Sequence, residues 1–433
     1  MGGACMVPGV TAGAPAPLSR AAIIAIGSEL LTPLRVDTNS LHITEQLNRL
    51  GIDVVAKVVV GDDRAELAHV LAAARQRVDL IVCTGGLGPT DDDVTRDAVA
   101  DVTGCPLRED PAITDRLRAR FAARFAGPMP EINRRQAMVP EGAVVLENSR
   151  GSAPGLWIDD GARVVLLLPG PPRELQPMLA ALVSGPLAAR AAGVSLVRRI
   201  LKIAGRIESK TEEELQPVYA KWAAAPVRIE ATILAALGQL ELHLSARAGT
   251  RETSEAALER AAEDVMAVLG ADVFSRDNES LETVVGQLLA ARSLRIAVAE
   301  SCTGGLITSR LTDVIGSSRY VERSVVTYSN AAKTDLLGVE EELLQAHGAV
   351  SDPVARAMAE GVRTRAGVDV GVGVTGIAGP GGGTDAKPVG TVVIAVATDE
   401  GTHSRTFRFL GEREQVKFQA SQAALDMVRR LLL

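Results

Sequence analysis

From about residue 20 onward, short uninterrupted apolar runs alternate with stretches whose apolar positions recur three and four residues apart. Residues 21–26, 54–60 and 80–83 are runs of the first kind and predict buried strands, while 40–50 and 65–75 carry the helical period, with Gly51 as a stop signal. Strands and helices in this alternation predict βαβ units and a parallel sheet. Further runs at 155–158 and 164–168 lead into Pro169, Gly170, Pro171 and Pro172, a rigid turn before a helix that begins near Glu174. These elements define a first α/β domain over residues 19–175. The pattern then changes. A strand at 196–204, a helix at 208–220, paired strands at 227–234 and 239–246 and a helix at 253–269 make a small α+β module over 176–278. A second α/β domain is expected over 279–433, with strands at 296–299, 321–328, 368–374 and 389–397. Residues 1–18, rich in Gly, Ala and Pro, lack the basic and apolar segments of a signal peptide and are expected to form a disordered extension.

Composition sharpens this in three ways. A chain of 433 residues exceeds one core, and with 3% aromatic residues the cores must be built from Val, Leu, Ile and Ala, as in sheets covered by helices. The formal charge of -7 argues against a general nucleic-acid binder, but phosphates can still be held by local backbone N–H groups. The four cysteines, Cys5, Cys83, Cys105 and Cys302, have neither zinc-site spacing nor the density of a disulfide scaffold, which fits reduced thiols and a cytoplasmic location. No apolar run is long enough to span a membrane, so no membrane partner is expected.

Three stretches of the last domain carry candidate chemistry. Ser301, Cys302 and Thr303 lie between a strand and a helix start at Gly304 and Gly305. A nucleophile on such a turn stands at the C-terminal edge of a sheet, beside unpaired helix N–H groups that can hold an oxyanion. The bland alternative is that Ser301 or Thr303 only caps the helix. Tyr328 follows a strand, and if Asn330 caps the next helix, Lys333 falls in its first turn. Burial and the helix dipole would lower the lysine pKa there, suiting it as a general base toward Ser301 with Tyr328 relaying or orienting the proton. Cys302 is a rival nucleophile, but no nearby His would make its thiolate. The third stretch is a glycine loop containing Thr375, Gly376, Gly379, Gly381 and Gly382, with Lys387 beyond it. Its N–H groups and Lys387 suit an anion or ribose; a plain flexible connection is the alternative.

At the other end of the chain, Gly85, Gly86, Gly88 and Thr90 form a loop after a strand, followed by Asp91, Asp92 and Asp93. Such a loop can cradle phosphates while neighbouring carboxylates hold a hard divalent ion. Three acids before a helix can equally be a simple N-terminal charge cluster. Glu29 and Asp62 follow the other two strands at the same sheet edge.

The segments Ala299-Glu300-Ser301-Cys302-Thr303-Gly304-Gly305, Thr327-Tyr328-Ser329-Asn330-Ala331-Ala332-Lys333 and Gly376-Ile377-Ala378-Gly379-Pro380 onward resemble the C-terminal domain of the CinA (competence/damage-inducible) family. That domain is similar to bacterial nicotinamide-nucleotide amidases. The resemblance implies Ser301 as nucleophile, Tyr328 and Lys333 as its partners, nicotinamide mononucleotide as substrate and no cofactor. The glycine loops and acids near the N-terminus, with Leu168 to Pro172, resemble the family's molybdopterin-binding-like domain. This implies an ADP-ribose pyrophosphatase using a divalent metal of the Mg or Co type and potassium. Asp62, Asp92 and Asp93 are then the expected metal or catalytic acids, with Glu29 beside them. Pro33 and Leu34 replace the family's usual residues at the loop after Glu29, and they set against this activity a first domain that only binds nucleotide or builds a dimer. The middle module resembles the family's KH-like linker, without a Gly-x-x-Gly clamp for RNA. Family analogy further suggests a homodimer, and the family name leaves a non-enzymatic competence or damage-response scaffold as a third reading.

Overall fold

The computed structural model describes residues 15–124 and 127–433, which divide into two compact units, Met1–Val197 with Ala246–Ala256 and Arg198–Ser245 with Ala257–Leu433. The expected extension over 1–18 lies outside the described residues up to position 14. Its end is ordered: Ala16 N donates to Gly161 O, Leu18 N donates to Arg190 O, and Leu18 is fully buried.

In the first unit a six-stranded sheet runs in the order Asp53–Val60, Arg20–Ile26, Leu80–Thr84, Val164–Leu168, Gly155–Asp159, Val144–Leu146. The first four strands are mutually parallel; the last two pair antiparallel. The continuous apolar runs are explained by burial on both faces. In Arg20–Ile26, Ala22, Ile24 and Ile26 pack with helices Arg64–Arg75, Thr95–Thr103 and Pro111–Arg124, while Ala21 and Ile23 pack with Thr38–Arg49 and Pro172–Ser184. All four parallel strands end at one edge, which the glycine loop after Thr84 occupies.

The expected βαββα order of the middle module is present, largely within the second unit. Its four-stranded sheet runs Ile229–Ala236, Gln239–Ala248, Ser195–Ala204, with Val273–Ser275 added antiparallel at the end.

The last domain holds a five-stranded sheet in the order Val321–Val326, Ile296–Glu300, Val370–Gly376, Thr391–Ala397, Thr402–Arg408. The first three strands are parallel and the last two antiparallel. The strand Thr402–Arg408 was not legible because it lies at the edge with mostly half-buried or exposed residues. Helices Leu281–Ala291, Leu306–Asp313 and Arg413–Leu431 cover one face through Val298, Val372 and Ile394; Asp352–Ala366 covers the other. Gly371 and Gly373 let this last helix lie on the sheet, since a Cβ on either would stand 2.2 Å from Ala359 O or 2.5 Å from Ala355 O. Among the described residues no helix is long and apolar enough to cross a membrane.

Candidate active site and nucleotide cavity

The nucleophile turn follows from the pleat of strand Ile296–Glu300. Successive residues face opposite sides of the sheet, so Glu300 and Ser301 diverge. Glu300 is completely buried, and its carboxylate accepts from Gly305 N at 2.9 Å, Ile307 N at 3.1 Å, Thr308 N at 2.9 Å and Thr308 Oγ1 at 2.8 Å. It therefore occupies the start of helix Leu306–Asp313. Ser301 is 8% exposed, and its N–H is fixed to Val374 O of the neighbouring strand. Lys333 Nζ lies 3.3 Å from Ser301 Oγ and donates to Thr327 O at 2.8 Å. Lys333 is 1% exposed, and burial pushes its ammonium below the ordinary lysine range, with nearby Cys302 opposing. The hydroxyl and the amine expected to work together do meet.

Other details differ from expectation. Ser329, not Asn330, caps helix Asn330–Leu337, its side chain accepting from Ala332 N. Strand Val321–Val326 ends before Tyr328, which is 62% exposed. The Tyr328 hydroxyl accepts from Arg413 Nη2 at 2.8 Å and bonds to neither Ser301 nor Lys333. The oxyanion donors also move. Gly305 N is held by Glu300 and Gly304 N by Ser301 O, whereas the N–H groups of Cys302 and Thr303 donate to no described residue. Of the two helix-start amides assigned to an oxyanion, one is taken by the acid one residue before the nucleophile and the other by Ser301 O, and the two amides that directly follow Ser301 stay open. The buried hydroxyl of Thr303 likewise has no partner among the described residues. Cys302 is 5% exposed, and burial pushes its thiol up to about 12, which keeps it protonated and inert as a nucleophile.

The glycine loop is more built than a flexible connection. Thr375 Oγ1 donates to Ala349 O, and Gly376 stays in the ladder opposite Val392. Lys387 Nζ donates to His347 O at 2.9 Å, a backbone carbonyl, and so keeps its charge. The N–H groups of Gly379, Gly381 and Gly382 donate to no described residue. Gly379 O accepts from Arg413 Nη1 at 2.8 Å. Arg413 thus ties this loop to Tyr328. One turn further along the same helix, Lys417 Nζ stands 3.7 Å from where a Cβ on Gly304 would lie and makes no ion pair among the described residues. Arg413 and Lys417 went unnoticed in the sequence; their i, i+4 spacing on the last helix was the available signal.

In the first unit a cavity of about 640 Å³ lies at the sheet edge, lined by Gly85, Gly86, Gly88, Glu29, Arg35, Asp62, Asp92 and Asp93 among others. The loop is rigidly folded. Asp93 accepts from Gly88 N at 2.7 Å, Thr90 N at 2.9 Å and Thr90 Oγ1 at 2.6 Å, Gly85 N donates to Leu168 O, and Thr95 Oγ1 donates to Gly85 O. Gly85, at φ +105°, brings its Cα so close to Ile26 O that a Cβ would lie at 2.1 Å. Asp93 therefore holds the loop together through both of its carboxylate oxygens. Asp62 accepts from Ser28 N at 2.8 Å, and Glu29 folds over Gly27. Although Glu29, Asp62, Asp92 and Asp93 share the cavity, no three His, Cys, Asp or Glu residues among those described are grouped to hold a metal ion. Leu34 is 87% exposed, and neither it nor Pro33 lines the cavity. Asp93→Ala is expected to unfold the loop without unfolding the domain: circular dichroism stays native while limited proteolysis gains a cut near residue 90. Unchanged proteolysis would remove the loop-holding role.

Residues 278–432 match the family described as CinA C-terminal domain, and residues 22–189 the one described as Probable molybdopterin binding domain. A CinA-like protein of Koribacter versatilis is 47% identical over 417 residues, covering 95% of this chain and 100% of that protein. A CinA-like protein of Acidobacterium capsulatum is 44% identical, again over 95% of this chain and 100% of that protein. Among solved structures, the competence/damage inducible protein CihA from Agrobacterium tumefaciens is 41% identical, covers 35% of this chain and 93% of that one, and has a TM-score of 0.35. With both domains matched and near-full-length relatives above two-fifths identity, the chain belongs to the CinA family.

Proposed function

We propose that the last domain is a serine amidohydrolase that converts nicotinamide mononucleotide and water to nicotinic acid mononucleotide and ammonia. The observation that carries this is the buried Lys333 amine 3.3 Å from Ser301 Oγ. An amine whose pKa is lowered by burial can take the serine proton, and no His is needed. Ser301 Oγ attacks the carboxamide carbon as its proton passes to Lys333. The N–H groups of Cys302 and Thr303 receive the oxyanion. Lys333 then returns the proton to the departing nitrogen, ammonia leaves, and water attacks the acyl-serine to release the acid. Tyr328 acts at the rim through Arg413, not in the proton relay. The direct test is ammonia release from nicotinamide mononucleotide by the full chain, with nicotinic acid mononucleotide as co-product; failure to form either removes the substrate assignment.

Arg413 and Lys417 give this reading a phosphate anchor. Lys417→Ala is expected to raise KM for the mononucleotide by about tenfold, in line with a lost charge-assisted hydrogen bond. KM for nicotinamide riboside, which lacks the phosphate, should not change. An equal rise for both substrates would place Lys417 away from the phosphate.

For the first unit we propose a nucleoside-diphosphate site taking ADP-ribose, supported by the size of the cavity and by its glycine loop. Arg35 at the cavity wall and the Gly86 N–H, which donates to no described residue, are available to the diphosphate. Pyrophosphate cleavage with a divalent ion and potassium is the finer form of this reading. Comparing ADP-ribose hydrolysis with and without added divalent ion separates cleavage from binding alone.

A further inference from the structure

Three parallel strands of the last sheet end at one edge. Val321–Val326 and Val370–Gly376 lie on either side of Ile296–Glu300, the strand that runs into Ser301. The chain beyond the first flanking strand carries Tyr328, and the chain beyond the second carries Gly379. Arg413 joins the two. Its Nη1 donates to Gly379 O at 2.8 Å, and its Nη2 donates to the Tyr328 hydroxyl at 2.8 Å. The guanidinium therefore reaches from one flank of the nucleophile strand to the other, past the end where Ser301 stands at 8% exposure. Its charge is felt at that turn: burial raises the Cys302 thiol, and Arg413 is among the cations that oppose the rise.

A fixed tie between two loops accounts for the hydrogen bonds but not for the charge. Both acceptors are neutral, and Arg413 makes no ion pair among the described residues. A guanidinium fork matches two oxygens of a phosphate, and such charge-assisted bonds are about twice as strong as those to neutral acceptors. A phosphate arriving at the fork therefore displaces Gly379 O and the phenol. Neither of these accepts any other hydrogen bond from the described residues. The tip of the glycine loop is also lightly packed, since a Cβ on Gly381 would meet nothing within 4 Å. We infer that Arg413 is a latch across the amidase site, opened by the substrate's own phosphate, so that the site selects a nucleotide over its riboside. This rests on the reading of the last domain as acting on nicotinamide mononucleotide. With no phosphate bound, the two hydrogen bonds hold the glycine loop and Tyr328 together over Ser301. Once the phosphate takes the fork, they part and the carboxamide reaches the hydroxyl. A simple anchor differs from a latch in one respect: it favours the nucleotide but does nothing against the riboside.

Steady-state ammonia release by the full chain separates these roles. In wild type, inorganic phosphate added to nicotinamide riboside should raise kcat/KM about tenfold, because it fills the fork that the riboside leaves empty. Arg413→Ala removes the latch. Its kcat/KM for the riboside should rise about tenfold without phosphate and no longer respond to it, while KM for the mononucleotide rises. Arg413 is exposed, so the substitution leaves the core untouched, and the phosphate response of wild type needs no variant at all. A wild-type riboside rate that ignores phosphate, or a riboside rate that stays the same or falls in Arg413→Ala, overturns the latch while the mononucleotide reading stands. Absence of ammonia release from the mononucleotide itself overturns both.

Discussion

Ser301→Ala is expected to lower kcat for ammonia release from nicotinamide mononucleotide by three orders of magnitude or more, roughly the loss on removing the nucleophile from a serine hydrolase. Lys333→Met should do as much, because the two groups act on one proton and their losses do not add. The pH dependence separates this lysine from an ordinary one. The free amine is the active form, so kcat/KM should rise with pH through an apparent pKa below the usual lysine value of 10.5 and then level off. In wild type, the unfolded chain still holds the lysine proton in the window between that lowered value and 10.5, while the folded chain does not. Raising pH through the window therefore stabilises the fold, and below it the buried ammonium is a standing cost. Lys333→Met should consequently lose activity with no fall in thermal stability, the pattern of a group kept for function. Activity in Ser301→Ala equal to wild type would end the mechanism.

Which parts of this were legible in the sequence has a physical pattern. Strands buried on both faces, such as Arg20–Ile26 and Ile296–Glu300, announce themselves as unbroken apolar runs. The meeting of Ser301 and Lys333 was legible because each sits where a strand of the same parallel set runs into a helix, and parallel strands deliver their ends to one edge. What the sequence could not show was which partner each polar group would choose. Tyr328 looked like a relay, but its strand ends early and its phenol meets Arg413, a residue 85 positions away. Lys387 reads as a cation for the glycine loop, and its hydrogen bond to His347 O is not visible in its position. Asp93 reads by position as a metal ligand, and its choice of Gly88 and Thr90 as hydrogen-bond donors, which folds the loop that carries it, is not visible in that position. Hydrogen-bond choice among nearby competitors depends on distances of tenths of an ångström, and no periodicity encodes those.

Glu300 is the clearest case, and it supports the second large prediction. Its position directly before the nucleophile invites a catalytic role, but its carboxylate receives four donors from the start of the following helix and none is a substrate-facing group. Glu300→Ala removes both acceptor oxygens of these four donors at once and leaves three backbone N–H groups without a partner. A buried network of this kind is worth roughly 3–5 kcal/mol when one partner is deleted. In a domain of this size that corresponds to a drop of about 10 °C in its unfolding transition, read by calorimetry. Glu300→Gln retains one acceptor oxygen and should fall between the two. Because the same turn carries Ser301 and the open N–H groups of Cys302 and Thr303, kcat should fall in step with stability while KM moves little. A Glu300→Ala chain that keeps its transition temperature but loses activity would instead make the carboxylate a participant in the chemistry.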